Sequence, residues 1–163
     1  MSDRPAPAGV QPGQPAPPFE GTTQAGDTLR LSDFAGRTLA LYFYPKDETP
    51  GCTKQACALR DGWADLEAAG VAVVGVSPDS VESHAAFAEN HGLPFPLLAD
   101  PDHEILEAYG AWGEKTLYGR KSVGVKRSTF LIGPDGVVRH VFKRPKTDRH
   151  AAEILGKVEA FDL

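Results

Sequence analysis

Thr38-Leu39-Ala40-Leu41-Tyr42-Phe43-Tyr44-Pro45-Lys46-Asp47-Glu48-Thr49-Pro50-Gly51-Cys52-Thr53-Lys54-Gln55-Ala56-Cys57 is the stretch that decides the fold. Its first seven residues are almost continuously apolar, the pattern of a strand buried on both faces. From Cys52 the pattern changes. Ala56, Leu59, Trp63, Leu66 and Ala69 recur at helical spacing, which predicts a helix over Cys52–Ala69, and Gly70 ends it. A strand thus passes into a helix across a Pro- and Gly-containing turn. Cys52 and Cys57 are the two cysteines of the chain. Cys52 stands where free backbone N–H groups and the helix dipole favour a thiolate. A thiolate is a nucleophile, and a second thiol five residues on can capture what the first becomes. That points to thiol redox chemistry.

Working outward, strand and helix signals alternate. Thr22–Leu31 predicts a short hairpin turning at Ala25-Gly26-Asp27. Val71–Val76 is a second buried strand. Ser80 caps a helix running to Asn90, Leu97–Ala99 is a short strand, and Asp102 caps His103–Tyr109. Ser128–Ile132 and Val137–Phe142 form two strands joined at Gly133-Pro134-Asp135-Gly136, a turn by composition. Asp148 caps the last helix, which ends at about Ala160. The order β-β-α-β-α-β-α-β-β-α predicts an α/β, thioredoxin-like fold: a central mixed β-sheet flanked by helices, with an N-terminal hairpin. Residues 1–13, rich in Pro, Ala and Gly, are expected to form a disordered tail, and residues 14–163 a single domain.

Composition narrows the function. The chain has 163 residues, 41% of them hydrophobic and 24% charged, with a net charge of −5. That leaves no electrostatic footprint for nucleic acid. The densest basic run, Lys143-Arg144-Pro145-Lys146, predicts a solvated loop. No apolar stretch approaches the roughly 20 residues that cross a bilayer, and the N-terminus has no signal-peptide core. The expected location is the cytoplasm, where a close cysteine pair is catalytic or metal-binding rather than structural. The five histidines, His84, His91, His103, His140 and His150, are scattered, and with two cysteines at this spacing they do not resemble a zinc site. No metal is expected, and no glycine-rich nucleotide cradle precedes a helix.

Pro45-Lys46-Asp47-Glu48-Thr49-Pro50-Gly51-Cys52 resembles the peroxiredoxin signature: Pro, three residues, Thr, two residues, Cys. Tyr42-Phe43-Tyr44-Pro45-Lys46-Asp47, Gly110-Ala111-Trp112-Gly113-Glu114-Lys115 and Arg127-Ser128-Thr129-Phe130-Leu131-Ile132 are similar to the bacterioferritin comigratory protein, or Q-type, branch. The resemblance runs over roughly residues 14–160. It implies a peroxidase for hydrogen peroxide and organic hydroperoxides, recycled by thioredoxin, with no metal, flavin or haem cofactor. Residue by residue it implies Cys52 as peroxidatic cysteine, Cys57 as resolving cysteine, and Thr49, Arg127 and Pro45 as partners in the site. Glu48 stands where relatives often carry another polar residue and adds a carboxylate near the thiol.

The implied chemistry explains the residue types. Sulfur attacks one peroxide oxygen and the other departs as hydroxide or alkoxide. A free thiol, ionising near pH 8.5, is only a few per cent thiolate at neutral pH. Arg127 keeps its charge at any working pH and favours the thiolate. Basicity and nucleophilicity fall together, so the larger rate effect is stabilisation of charge on the departing oxygen. Thr49, Arg127 and backbone N–H groups are suited to it, and Pro45, without an N–H, shields the pocket. The product is a sulfenic acid at Cys52, which Cys57 converts to a disulfide. Residues five apart in an intact helix have Cα atoms about 8–9 Å apart. A disulfide needs about 7 Å or less. The reduced chain is therefore expected to be helical from about Cys52, and oxidation to unwind the helix through Cys57.

Plainer alternatives stand beside these. Cys52 is otherwise a buried small residue, Cys57 an ordinary helix cysteine, Thr49 a helix cap, and Arg127 part of a surface ion pair. Trp112 is expected to pack or face a partner. A general disulfide oxidoreductase would favour two residues between its cysteines rather than four. A redox-sensing switch or holdase would use the same disulfide without rapid turnover. An intrachain disulfide needs no second subunit, so a monomer is the simplest expectation.

Overall fold

The structure is a computed structural model that describes residues 10–163 apart from Tyr118, and for Thr116 and Leu117 the backbone alone. Nine strands and five α-helices follow one another in it: β1 (Glu20–Thr23), β2 (Thr28–Arg30), β3 (Thr38–Phe43), α1 (Pro50–Asp61), α2 (Trp63–Ala68), β4 (Val71–Ser77), α3 (Val81–His91), β5 (Leu97–Ala99), α4 (Glu104–Ala108), β6 (Trp112–Leu117), β7 (Arg120–Val125), β8 (Ser128–Ile132), β9 (Val138–Phe142) and α5 (His150–Ala160). A 3-10 turn, Leu31–Phe34, separates β2 from β3.

Seven strands form one mixed sheet in the order β2-β1-β5-β4-β3-β8-β9. β3 and β4 lie at its centre and are buried along their whole length, as their unbroken apolar runs require. β3 runs parallel to β4 and antiparallel to β8. Side chains alternate across β3 and feed two cores. Ala40, Tyr42 and Tyr44 join Ala56, Leu59, Leu66, Phe87, Ile154 and Val158 beneath α1, α2, α3 and α5. Leu39, Leu41 and Phe43 join Leu98, Ile105, Leu106, Tyr109 and Phe130 on the face that α4 covers. This is the thioredoxin-like architecture expected from the order of elements. Among the described residues no helix is long and apolar enough to cross a membrane.

Several local expectations are corrected. The single helix predicted over Cys52–Ala69 begins at Pro50 and is broken at Gly62 into α1 and α2. The residue at the break is held to glycine by packing, because a Cβ at Gly62 would sit 2.5 Å from the Ala151 Cβ of α5. Asp102 does not cap α4. His103 is the N-cap residue, in the left-handed region, and Asp100 reaches over it to accept from the N–H groups of Ile105 (3.2 Å) and Leu106 (2.8 Å). Asp148 does not cap α5 either. Arg149 occupies that position, and the Asp148 carboxylate pairs with its side chain. The cap at Ser80 is present, its Oγ accepting from the Ser83 N–H at 3.1 Å.

The β6–β7 hairpin has no counterpart in the sequence reading. It is a separate two-stranded ribbon, with Trp112 opposite Val125 and Gly113 opposite Gly124. Residues 120–123 of β7 are exposed in succession, so this part of the strand carries no burial that would impose an apolar alternation. Its base is anchored instead. Trp112 stacks on His103 with ring centroids 3.7 Å apart, and the Lys126 N–H donates to the Ala111 carbonyl at 2.7 Å. Of the expected N-terminal tail, residues 1–9 lie outside the described residues. Val10 packs against the α4-side core, and Gly13 and Gln14 bond to the backbone of Val138.

Candidate functional site

β3 delivers the chain into the site and β8 supplies its opposite wall. The register pairs Phe43 with Ser128, so Arg127, one residue before β8, stands beside the end of β3 where the chain turns toward α1. Thr49 is the N-cap residue of α1, and Pro50 opens the helix, where a missing N–H costs nothing. Cys52 therefore lies in the first turn with its backbone donors unspent within the helix.

The Cys52 side chain is 1% exposed. Arg127 Nη2 donates to its Sγ at 3.3 Å, and Arg127 Nη1 donates to Gln55 Oε1 at 2.6 Å. The guanidinium thus bridges two residues on one face of α1, three apart in sequence. Gly51 makes room for it, since a Cβ there would lie 3.3 Å from Arg127 Nη2. Among the described residues, the hydrogen-bond partners of the Arg127 guanidinium are a thiol and an amide. A cavity of about 250 Å³ opens beside it, lined by Arg127, Ser128, Tyr109, Phe130 and Val10. The larger cavity, about 610 Å³, lies toward the other end of β3, around Leu39, Ile132, Phe19 and Phe34, and takes no part in the thiol site.

Thr49 does not cap the helix with its side chain. Its Oγ1 donates to the Lys46 carbonyl at 2.8 Å, which spends its proton locally and leaves its lone pairs as acceptors. Pro45 is half-buried at the start of the same loop. Two buried donors in this core have no partner among the described residues: the Gln55 Nε2 amide and the Tyr42 hydroxyl. Burial, with Cys52 and Asp47 nearby, pushes the Tyr42 phenol well above its ordinary range, so it stays a neutral O–H donor. Gln55 escaped the sequence reading, although its spacing from Cys52 is the signal that finds it.

A polar hub holds the loop from below. Asp47 is buried. Its Oδ1 accepts from the Tyr44 hydroxyl at 2.6 Å, and its Oδ2 contacts Ser83 Oγ at 2.7 Å and His84 Nδ1 at 2.8 Å. Asp79 accepts from the Asp47 N–H at 2.8 Å and from Ser77 Oγ at 2.6 Å. Burial alone would raise Asp47, but hydrogen bonds from His84, Tyr44 and Ser83 outweigh it and hold the carboxyl below its ordinary value. His84 is therefore not a scattered histidine. Ligand atoms of Asp47, Asp79 and His84 lie within 4.8 Å of one another, but these groups are spent tying the loop to α3 and the end of β4.

Cys57 is half-buried, and both cysteines are free. It looks toward the end of α3, with His91 Nδ1 4.0 Å from its Sγ. Glu48 is not turned toward Cys52, as its position in the sequence suggested. Its carboxylate accepts from Asn90 Nδ2 at 2.8 Å and meets His91 Nε2 at 2.9 Å. Those two bonds hold Glu48 below its ordinary range, so it is a carboxylate at neutral pH.

A nearly buried sulfur on the first turn of a helix, held by a guanidinium, defines a thiol-dependent oxidoreductase on a thioredoxin-like sheet. Comparison with known proteins narrows this. The sequence matches the AhpC/TSA family over residues 12–141. It is 46% identical over 149 residues to a Coxiella burnetii protein named putative peroxiredoxin bcp, covering 91% of this chain and 99% of that one. It is 45% identical over 146 residues to peroxiredoxin Bcp of Escherichia coli K12, covering 90% and 94% respectively. Among solved structures, a cysteine mutant of Xylella fastidiosa PrxQ matches with a TM-score of 0.87 at 34% identity, over 94% of this chain and 98% of that one. Peroxiredoxin Q of Xanthomonas campestris matches with a TM-score of 0.81 at 37% identity, over 87% and 90%. The chain belongs to the AhpC/TSA family, and its relatives are peroxiredoxins of the Bcp/PrxQ kind.

Proposed function

We propose that this peroxidase reduces hydrogen peroxide and organic hydroperoxides in a two-thiol cycle recycled by thioredoxin or a similar dithiol. The observation that carries it is the 3.3 Å contact of Arg127 Nη2 with Cys52 Sγ at the start of α1. One guanidinium favours the thiolate and faces the space where charge grows on the departing oxygen. Thr49 Oγ1 accepts the peroxide proton, Gln55 and Tyr42 are spare donors, and Pro45 closes the rim without adding an N–H. Cys52 becomes a sulfenic acid as the second oxygen leaves as water or alcohol.

Cys57 then attacks that sulfur, giving a disulfide and water. Both cysteines lie in the unbroken helix Pro50–Asp61. The helix must therefore open between them before the sulfurs meet. The Pro50-Gly51 pair gives the hinge, and the opened disulfide is what an incoming dithiol attacks. The bond lies within one chain, so a monomer suffices.

The test is peroxide consumption coupled to thioredoxin and its NADPH-dependent reductase, comparing the unaltered chain with Cys52→Ser and Cys57→Ser. Turnover lost in Cys52→Ser supports the peroxidatic role, and loss of thioredoxin-supported turnover in Cys57→Ser supports the resolving one. Rapid oxidation of Cys52 without turnover in the unaltered chain would point to a switch or another reductant. No oxidation of Cys52 would refute the proposal.

A further inference from the structure

We propose that His91 is a catalytic base for Cys57, positioned by Glu48. The inference rests on Cys57 resolving Cys52, as proposed above. Three side chains stand in line: the Glu48 carboxylate meets His91 Nε2 at 2.9 Å, and His91 Nδ1 lies 4.0 Å from Cys57 Sγ. The carboxylate fixes the proton on Nε2, so the Nδ1 lone pair faces the thiol. Carboxylate, imidazole and thiol in this order are what activates a sulfur nucleophile.

The surrounding structure is built to hold that line. Glu48 has a φ of 64°, in the left-handed region that L side chains avoid, and its carboxylate bonds to Asn90 and His91 of α3. Asn90 Nδ2 donates to its second oxygen at 2.8 Å. The imidazole is steered by the Phe87 ring, edge-on at 5.2 Å between centroids. The His91 carbonyl accepts from Arg60 Nη1 of α1 at 2.7 Å. Arg60 and Cys57 share a face of α1, so one helix carries both the thiol and the group that docks its base. Among the described residues, the charged groups bonded to His91 are Glu48 from the loop before α1, at the imidazole, and Arg60 from α1, at the carbonyl, itself paired with Asp61.

The step balances. Cys57 S–H gives its proton to His91 Nδ1 while α1 is intact, leaving a thiolate and an imidazolium paired with Glu48. The helix opens, the thiolate attacks the Cys52 sulfur, and the S–O bond breaks. The departing hydroxide takes the proton from the imidazolium or from solvent and leaves as water. No outside oxidant or reductant is needed, since the sulfenic acid carries the oxidising equivalents.

Single-turnover mixing with hydrogen peroxide reads the two steps apart: sulfenic acid trapped at Cys52, then disulfide to Cys57. In His91→Gln, disulfide formation at pH 7 should slow by at least about tenfold. The loss should grow as pH falls, making the pH profile steeper, and added imidazole should restore part of the rate. In Glu48→Gln the loss should be smaller and of the same pH form. In Cys52→Ser, whose helix needs no opening for this readout, alkylation of Cys57 should slow when His91→Gln is added. Disulfide formation in the unaltered chain tests the resolving role itself. An unchanged disulfide rate and pH profile in His91→Gln, or a loss shared equally by the peroxide step, would overturn the inference.

Discussion

The two thiols of α1 sit five residues apart in surroundings of opposite character. Cys52 is 1% exposed and touched by a permanent cation one residue before β8, with an amide and a phenol spare nearby. Cys57 is half-buried and faces a titratable imidazole from α3, backed by a carboxylate from the loop. The first environment is fixed by the sheet register and cannot change its charge. The second is assembled from the end of one helix and one strained loop residue, and can take up and release a proton. In the proposed cycle, a nucleophile that must be ready before peroxide arrives needs the former, and a thiol that acts only after Cys52 is oxidised is served by the latter.

The comparison is broken most directly at Arg127. Arg127→Gln keeps a planar donor but loses the charge and the bidentate reach. Oxidation of Cys52 by peroxide should slow by about 10²- to 10³-fold, the usual loss when a donor to a developing oxyanion is removed. Alkylation of Cys57 in the same variant should be unchanged. A matching drop at Cys57 would show that the two environments are one electrostatic unit.

Much of the Cys52 environment was legible in the sequence, because long apolar runs fix β3, β4 and β8 and their pairing fixes where Arg127 falls. The signature residues Pro45, Thr49 and Cys52 sit on one short loop and helix start, so spacing alone groups them. The Cys57 environment was not legible. His91 meets Cys57 across 34 positions through the docking of α3, which leaves no periodic trace. Glu48 was misplaced for a related reason: its carboxylate is bonded to Asn90 and His91 of α3, more than 40 positions away. The β6–β7 ribbon was missed because residues 120–123 of β7 are exposed in succession and show no apolar alternation, and the close packing of Gly62 on Ala151 of α5 is a contact that neighbours in sequence do not reveal.

Asp47 sharpens the comparison, because its loop serves both thiols. Asp47→Asn removes a buried charge and one acceptor, leaving donors from Ser83 or His84 unmatched, and should cost about 1–3 kcal/mol. For a chain of this size that lowers Tm by roughly 2–12 °C. The sign with pH follows from the direction of its shift. Asp47 ionises below its ordinary value of 3.8 when folded, so its stabilisation is complete above that value. It fades as pH falls through the lowered folded value. The gap in stability between unaltered chain and variant, read by thermal melts, should therefore be constant from neutral pH down to about 5 and close at lower pH. A gap that widens on acidification would refute the assignment. Both the peroxide step and disulfide formation should slow together, unlike in Arg127→Gln.

Gly51→Ala probes the finest feature, the close approach of guanidinium and helix. An added Cβ would meet Arg127 Nη2 at 3.3 Å and Cζ at 4.0 Å, so the end of a long side chain must yield by a few tenths of an ångström. Alanine favours helix over glycine by up to about 1 kcal/mol, and the first turn of α1 should gain rather than lose stability. The cost should appear only in geometry at Cys52. A full 1 Å error costs about 10²-fold, so a smaller shift should slow peroxide reduction by roughly two- to fivefold. Disulfide formation should slow as well, for a different reason: the stiffer hinge opens less often. Unchanged peroxide kinetics with a raised Tm would mean that Arg127 tolerates displacement. The 3.3 Å contact would then matter for its charge rather than its aim.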